Sequence, residues 1–371
     1  MFNLKKIYIL SGGTGGHVFP AKIVAEKFLS EGIEVTWIGT SRGPEQEIAK
    51  KLNINFIRLP LTGFRGKSSF TKLKALFLFL ISGVYMLFRI WPFKLFSKEQ
   101  VPMIAFGGYV SLASFFYFKG PVYLQEQNTI PGSVSRLLVS TNKVLKVFCG
   151  FTQTIEYFKK INTKDIEIVL SGNPVNKNIS NLAQNLSANK KDESETINIL
   201  ILGGSQGSQR LNELMPEVLN NLGKVSIKHQ CGKAKLQEVK ILYDNKNQDS
   251  LKIEVFEFID NMADAYRWSD IVICRSGALS VTEISASGSV GVFIPLPWAI
   301  DNHQFYNAQQ LKEKNAGYLI QESINLNDDL IRLFKGIRID LCNGKLNLMK
   351  QNSLNCFIED SENIIFKKIV N

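Results

Sequence analysis

Residues 10–21 read LSGGTGGHVFPA: Gly12, Gly13, Gly15 and Gly16 flank Thr14, and His17, one of three histidines in the chain, follows at once. Glycines let a backbone turn through positive φ and let a ligand approach the peptide N–H groups closely. An imidazole beside such a loop can take or give a proton near neutral pH, its reference pKa being about 6.5. Two further stretches follow the same logic. GGSQGS, residues 203–208, comes after an apolar run and opens a helical pattern. Its amides and the positive helix end could hold a diphosphate with neither a lysine nor a metal. CRSGALSVTEI, residues 274–284, turns at Arg275, Ser276 and Gly277 and carries Glu283 on the helix that follows. A carboxylate there can accept both hydroxyls of a ribose while a diphosphate lies over the helix's amino end. Glycines that only make tight turns, and a Glu283 on a solvated helix face, are the plainer readings. Two such loops at matching places favour a ligand.

The familiar nucleotide motifs do not fit. A G-x-G-x-x-G reading from Gly13 and Gly15 requires glycine where Val18 stands, and the second strand ends TWIGT, with no acid for a ribose 2′-hydroxyl. G-x-x-x-x-G-K-[ST] is absent. Both the dinucleotide and the P-loop readings lose weight accordingly.

The elements that must position these residues are those of an α/β protein. A chain of 371 residues, 45% hydrophobic, is too long for one ordinary core and predicts two domains. KIYIL is a strand, and PAKIVAEKFLSEG a helix with Pro20 at its start and Gly32 at its end. IEVTWIG, VPMIAFGG and GPVYLQEQN supply further strands, and this alternation means a parallel sheet with right-handed crossovers. Residues 176–196, rich in Asn, Lys and Ser, read as a linker. The pattern then restarts: INILILGGSQGSQRLNELMPEVL repeats strand, glycine loop and helix, and SIKHQCG, IEVFEFI, DIVICRSG and SVGVFIPLP continue it. The expectation is two doubly wound, Rossmann-like domains facing each other across a cleft, 1–175 and 176–351, each binding at the carboxyl ends of its strands. The five cysteines are scattered without metal-ligand spacing, which predicts reduced thiols and no structural metal. The apolar run before the first glycines is too short for a signal-peptide core, so a cytosolic protein is expected.

Net charge is +11, and residues 58–98 hold eight Lys or Arg and no Asp or Glu. Inside that window lies ALFLFLISGVYMLF, residues 75–88. A buried core helix is one reading. A transmembrane helix is a second, but it needs about 20 apolar residues, and Lys74 and Arg89 cut this run short. The third is an interfacial segment with one face on the protein and the other in lipid. Lys67, Lys72, Lys74, Arg89 and Lys94 would then meet anionic headgroups, each contributing about 1 kcal/mol. Helical spacing gives two faces: Leu73, Leu76, Leu80, Val84, Leu87 and Trp91 on one, Leu78, Tyr85 and Phe79 or Met86 on the other. The membrane-associating set is read as Leu76, Phe79, Leu80 and Trp91 with Lys72 and Arg89. Nucleic acid is disfavoured as a partner, because the basic window surrounds aliphatic rather than stacking residues.

GGTGGHVFPA (12–21), GGYVS (107–111), EQN followed by PG (126–132), GNPV (172–175), GGSQG (203–207), FIDNMADAY (258–266), CRSGALSVTEI (274–284) and PLPWAIDNHQFYNA (295–308) occur in one order. In that order they resemble the MurG family of GT-B glycosyltransferases. The resemblance implies transfer of N-acetylglucosamine from UDP-N-acetylglucosamine to the muramoyl 4-hydroxyl of lipid I, with inversion, giving lipid II in peptidoglycan synthesis. It implies Ser205 at the diphosphate, and Ile259 with Ala278, Leu279, Ser280, Val281, Thr282 and Glu283 at uridine and ribose. Gln304 and Asn128 would bind the sugar, with Thr14, Gly15 and Gly16 closing over it. His17 is the candidate general base and Glu126 its understudy or electrostatic support. One direct displacement needs one base and no covalent nucleophile, and no DxD-type carboxylate pair stands near a strand end. No cofactor and no metal are therefore expected. The resemblance places the protein peripherally on the cytoplasmic face of the bacterial inner membrane, with cell-wall synthesis and division proteins as candidate partners. It implies that a final helix, about 352–371, packs back on the first domain. Asn176 stands where the family often has arginine, so that arginine's contact does not transfer. Another UDP-sugar transferase, a UDP-N-acetylglucosamine epimerase, or a membrane-surface protein that binds a nucleotide without chemistry remain the rivals.

Overall fold

The computed structural model describes residues 4–41, 43–61, 77–86, 100–161, 166–185, 196–204, 207–219, 224–245 and 251–371. Two compact units divide the chain: Met1–Pro174 with Asp360–Asn371, and Val175–Glu359.

In the first unit the strands are β1 (Lys6–Leu10), β2 (Glu34–Gly39), β3 (Asn55–Arg58), β4 (Met103–Ala105), β5 (Val122–Glu126), β6 (Lys146–Cys149) and β7 (Glu167–Leu170). They pair in parallel in the order β3-β2-β1-β4-β5-β6-β7. Strands covered on both faces read as continuous apolar runs, and β1 does: Ile7 and Ile9 pack with Val24, Phe28 and Trp37, whereas Tyr8 and Leu10 pack with Met103, Ala105 and Leu124. The second unit holds β8 (Ile197–Leu202), β9 (Val225–Gln230), β10 (Leu251–Phe256), β11 (Ile271–Cys274), β12 (Val290–Phe293) and β13 (Gly317–Leu319). Their parallel order is β10-β9-β8-β11-β12-β13. Each sheet reverses its winding direction once, between β1 and β4 in the first and between β8 and β11 in the second. Loops leaving neighbouring strands diverge at such a point and open a crevice at the carboxyl ends.

Three sequence expectations change. The first helix spans Gly15–Ser30, beginning five residues before Pro20. Val18 N–H already donates to Thr14 O (3.2 Å), so Pro20 sits in the second turn, where it forgoes a single i→i−4 bond. His17 is consequently a first-turn helical residue rather than part of the loop. Strands β3, β6, β7 and β13, three or four residues each, are additional to those expected from the sequence. The stretch read as linker contains a helix at Lys177–Ser180 and a 3-10 turn at Asn181–Asn185, with Ile179 and Leu182 buried. Asn176 starts that helix, its Oδ1 accepting from Asn178 N–H (2.9 Å).

The C-terminal helix Ser361–Val370 packs on Gly15–Ser30. Ile365 is fully buried in the core beside Phe28, Phe28 and Phe366 meet edge-on at 5.2 Å, and Ser361 Oγ donates to Gly172 O (2.9 Å). Residues 77–86 are helical. Phe79 turns inward against Phe116, ring centroids 5.0 Å apart, and Met86 is buried, while Phe77, Leu80, Ile81 and Val84 stand exposed. Among the described residues no helix is long and apolar enough to cross a membrane.

Candidate active site

The loop leaving β1 runs under a buried carboxylate. Glu45 Oε1 accepts from Thr40 Oγ1 (2.6 Å), from Thr40 N–H (3.1 Å) and, at 3.4 Å, from Gly13 N–H. Gly13 has φ 97°, and a Cβ on Gly43 would fall 2.0 Å from Gly13 O. The turn thus needs glycine on both sides. Thr14 caps the helix Gly15–Ser30 in an extended conformation without a side-chain bond. The first N–H groups of any helix lack intrahelical partners, and here they belong to Gly15 and Gly16.

His17 points back over the loop that leaves β4. A Cβ on Gly107 would lie 3.5 Å from His17 Cε1 and Nδ1, and one on Gly108 3.3 Å from Cδ2 and Nε2. The ring is therefore bedded on these two residues. Gly108, with φ 67° and ψ 176°, occupies a region that is essentially glycine's alone. The imidazole Nδ1 is 2.9 Å from Gln127 Oε1. Gln127, Gln125 and Asn173 are all buried and joined by hydrogen bonds. Sequence reading gave no role to Gln125, Gln127, Asn173, Gly107, Gly108 or Glu45. The usable signal was the pair of glutamines two apart at the end of β5, which puts both on one face.

Glu126 holds the loop beyond β5. Its Oε1 accepts from Asn128 N–H (2.9 Å) and Asn128 Nδ2 (3.1 Å), and its Oε2 from Gly132 N–H (3.1 Å). Asn128 is anchored again through its carbonyl, which accepts from Thr154 Oγ1 (2.8 Å). The carboxylate is buried and braces the segment that carries Asn128.

In the second unit the loop leaving β8 turns at Gly204 and Gly207, φ 77° and 72°, and a Cβ on Gly207 would lie 2.0 Å from Cys231 O. Ser205 lies outside the described residues. Across the crevice, Arg275 ties the two loops together. Its Nε donates to Ser208 Oγ (3.2 Å) and its guanidinium to Ile294 O (3.2 Å) and Glu322 Oε2 (2.5 Å). Arg275 is thus a brace through its Nε and Nη1. Gly277 precedes the helix Ala278–Ser287 without a side-chain cap. Ala278, Leu279 and Ser280 supply that helix's first amides, whereas Val281 N–H already donates to Gly277 O (3.0 Å). The Val281 side chain is core, and Thr282 Oγ1 turns back to Ala278 O (2.8 Å).

Glu283 keeps some surface as a residue, but its carboxyl lies deep and accepts from Tyr266 OH (3.0 Å). Burial pushes its pKa up to about 7, against the Tyr266 bond, which pulls it down. Ile259 N–H is held by Gln230 Oε1 (3.0 Å). Gln304, on the first turn of His303–Glu313, accepts from Leu296 N–H (3.0 Å) through Oε1, which leaves its Nε2 to donate. His229, by contrast, is a core histidine: Tyr243 OH and Asn212 Oδ1 occupy its two nitrogens at 3.0 and 3.1 Å, and burial pushes its pKa down to about 3. Among the membrane-associating residues read from sequence, Leu76, Lys72, Arg89 and Trp91 lie outside the described residues. Leu80 is outward and Phe79 inward.

Comparison with known proteins follows the same division. The glycosyltransferase family 28 N-terminal domain matches residues 7–147 and the family 28 C-terminal domain residues 198–359. A UDP-N-acetylglucosamine–N-acetylmuramyl-(pentapeptide) pyrophosphoryl-undecaprenol N-acetylglucosamine transferase from Francisella tularensis subsp. tularensis is 36% identical, covering 99% of this chain and 98% of its own length. A protein of the same name from Vesicomyosocius okutanii subsp. Calyptogena okutanii is 35% identical over 95% of this chain and 94% of its own. The crystal structure of Acinetobacter baumannii MurG superposes with a TM-score of 0.74 at 30% identity, covering 98% of this chain and 99% of that one.

Proposed function

This chain belongs to the family of UDP-N-acetylglucosamine–N-acetylmuramyl-(pentapeptide) pyrophosphoryl-undecaprenol N-acetylglucosamine transferases, with the two Rossmann-like domains of a GT-B enzyme, and from that membership we propose how it works. It moves N-acetylglucosamine from UDP-N-acetylglucosamine to the muramoyl 4-hydroxyl of lipid I and so forms lipid II. His17 takes the hydroxyl proton as the oxygen attacks the anomeric carbon. The bond from that carbon to the β-phosphate oxygen breaks on the opposite face, and UDP leaves with the electron pair. One displacement inverts the configuration.

The observation that carries this reading is the imidazole of His17, bedded on Gly107 and Gly108 at the switch point of the first sheet, with one nitrogen tied to Gln127. The open amides of Gly15 and Gly16 beside it can stabilise developing negative charge. Glu126 is the supporting group, since both its oxygens already accept from the loop carrying Asn128. In the second unit the β8 loop with Ser205 and the amides of Ala278, Leu279 and Ser280 receive the diphosphate. Glu283 accepts the ribose hydroxyls, Ile259 meets the base, and Gln304 is this unit's contact to the sugar. Asn128 and Thr14 are the sugar contacts assigned to the first unit. His17→Ala is expected to lower kcat by about 10²–10⁴-fold while calorimetry finds donor binding unchanged. Retained turnover of labelled donor on lipid I would remove His17 from this role.

The protein works peripherally at the cytoplasmic face of the inner membrane, where lipid I is. Support comes from the outward Phe77, Leu80, Ile81 and Val84 within a stretch of sequence that carries only positive charge. Leu80→Asp with Val84→Asp should weaken binding to vesicles containing anionic phospholipid and spare activity on a short-tailed soluble acceptor. Unchanged vesicle binding would exclude this face.

A further inference from the structure

The tie between His17 and Gln127 has a direction, and fixed groups of the backbone set it. The oxygen and nitrogen of a side-chain amide have nearly the same shape, so their assignment must come from partners whose roles are not in doubt. Backbone carbonyls only accept. One end of the Gln127 amide faces Phe106 O and Gln125 O, both at 3.1 Å, and also Gln125 Oε1. Three oxygens around one atom require that atom to be the donor, Nε2. Its Oε1 therefore faces His17 Nδ1 at 2.9 Å.

The same polarity follows from the far end. Asn173 meets the backbone oxygen of Gln127 at 3.0 Å, so the atom there is Nδ2. Its Oδ1 then accepts from Gln125 Nε2 at 2.9 Å, which leaves Gln125 Oε1 to accept from Gln127. Two separate backbone anchors give one answer. All three amide residues are at most 2% exposed, so bulk water does not reach these bonds. A Cβ on Gly150 would fall 2.3 Å from Asn173 Oδ1, so the last amide is wedged in place as well.

An oxygen acceptor at Nδ1 demands a hydrogen there, and a neutral imidazole has only one to place. Resting on the reading of His17 as the base, we propose that Gln127, oriented by Phe106 O, Gln125 and Asn173, holds His17 in its Nδ1–H form, so that Nε2 is the nitrogen that takes the acceptor's proton. Gln127 is a positioning residue: it acts through His17. The bond survives the proton transfer, because the imidazolium also carries hydrogen on Nδ1 and its charge strengthens the contact. Nothing in the relay has to turn during the reaction. Gly108, beside Cδ2 and Nε2, puts no side chain of its own against that edge.

The test is the imidazole nitrogen spectrum of the full-length protein labelled with ¹⁵N-histidine, at a pH where free imidazole is neutral, with His17→Ala assigning the signal. The expected result is a protonated Nδ1 and a bare Nε2. An Nε2–H form, or a fast mixture of the two forms, overturns the inference. Gln127→Met keeps the length and removes the acceptor. It should turn the His17 signal into a mixture and lower kcat by about 10- to 100-fold, by analogy with the loss of a partner that orients a metal-bound histidine, with KM for the donor unchanged. Should Gln127→Met fold poorly, the wild-type spectrum still decides. Loss of turnover in His17→Ala together with an Nε2–H signal sinks this inference alone. Full turnover in His17→Ala sinks the base itself.

Discussion

In the free protein Glu283 keeps its proton to about pH 7, because its carboxyl has been taken out of water. A ribose hydroxyl donates best to an ionised carboxylate, so below that pH donor binding must also expel a proton. UDP-N-acetylglucosamine should accordingly bind more weakly as pH falls below about 7, by up to about tenfold per unit. Glu283→Gln should bind more weakly throughout and show a flat profile, which calorimetric titration will read directly. For folding the sign reverses. The unfolded chain ionises this carboxyl near 4.5 and the native state near 7, so the native state holds the extra proton between those values. Stability contributed by this group falls as pH rises through that window. Relative to wild type, Glu283→Gln should gain stability over the same range, measured by denaturant melts at several pH values. His229 has the opposite slope: it stays neutral to about pH 3, so its contribution falls as acid protonates the unfolded chain below 6.5.

Short elements do most of the positioning, and they do it at places where side chains are not allowed. The 3-10 helix Tyr109–Phe116 begins at Gly108, whose conformation any Cβ would strain. Gly108→Ala should cost about 1–3 kcal/mol and also push the imidazole edge, which is 3.3 Å from the new methyl group's position. The expected outcome is a lower melting temperature and reduced kcat with donor affinity retained, read from thermal melts and steady-state kinetics on one preparation. The helix Gly15–Ser30 shows how its start is decided. Proline at position 20 suggested an N-terminus there, yet Thr14 and the free geometry of Gly15 and Gly16 allow helix to form earlier. That shift of one and a half turns places His17 on a rigid element, so its ring direction follows from helix geometry.

At the scale of the molecule, the first unit is finished by residues that come after the whole of the second. Ile365 and Ile369 complete the core that carries Phe28 and Trp37, and Lys368 Nζ pairs with Glu167 (2.8 Å), whose carboxyl is held below its ordinary range by that bond and by Lys146. Ile365→Ala opens a cavity in this core and should cost the first unit about 2–5 kcal/mol. Amide exchange should speed up at β1 and β2 and stay unchanged at β8 and β11. Equal acceleration in both sheets would mean that the units unfold as one.

The amino-acid order alone determined the α/β class, the two glycine loops and the likeness to one transferase family. It did so because apolar runs, glycines and their spacing are local properties that a strand–loop–helix unit must satisfy by itself. Tertiary structure decided what those residues touch. Strands β4, β11 and β12 are as short as β3, β6, β7 and β13, so length alone does not hide a strand; the latter four are defined by the neighbours that pair with them. The direction of the amide relay behind His17 depends on hydrogen-bonded residues up to 48 positions apart, Gln125 and Asn173. Its polarity comes from backbone oxygens that only folding brings there. The pKa of Glu283 likewise belongs to its burial beside Tyr266 rather than to its residue type.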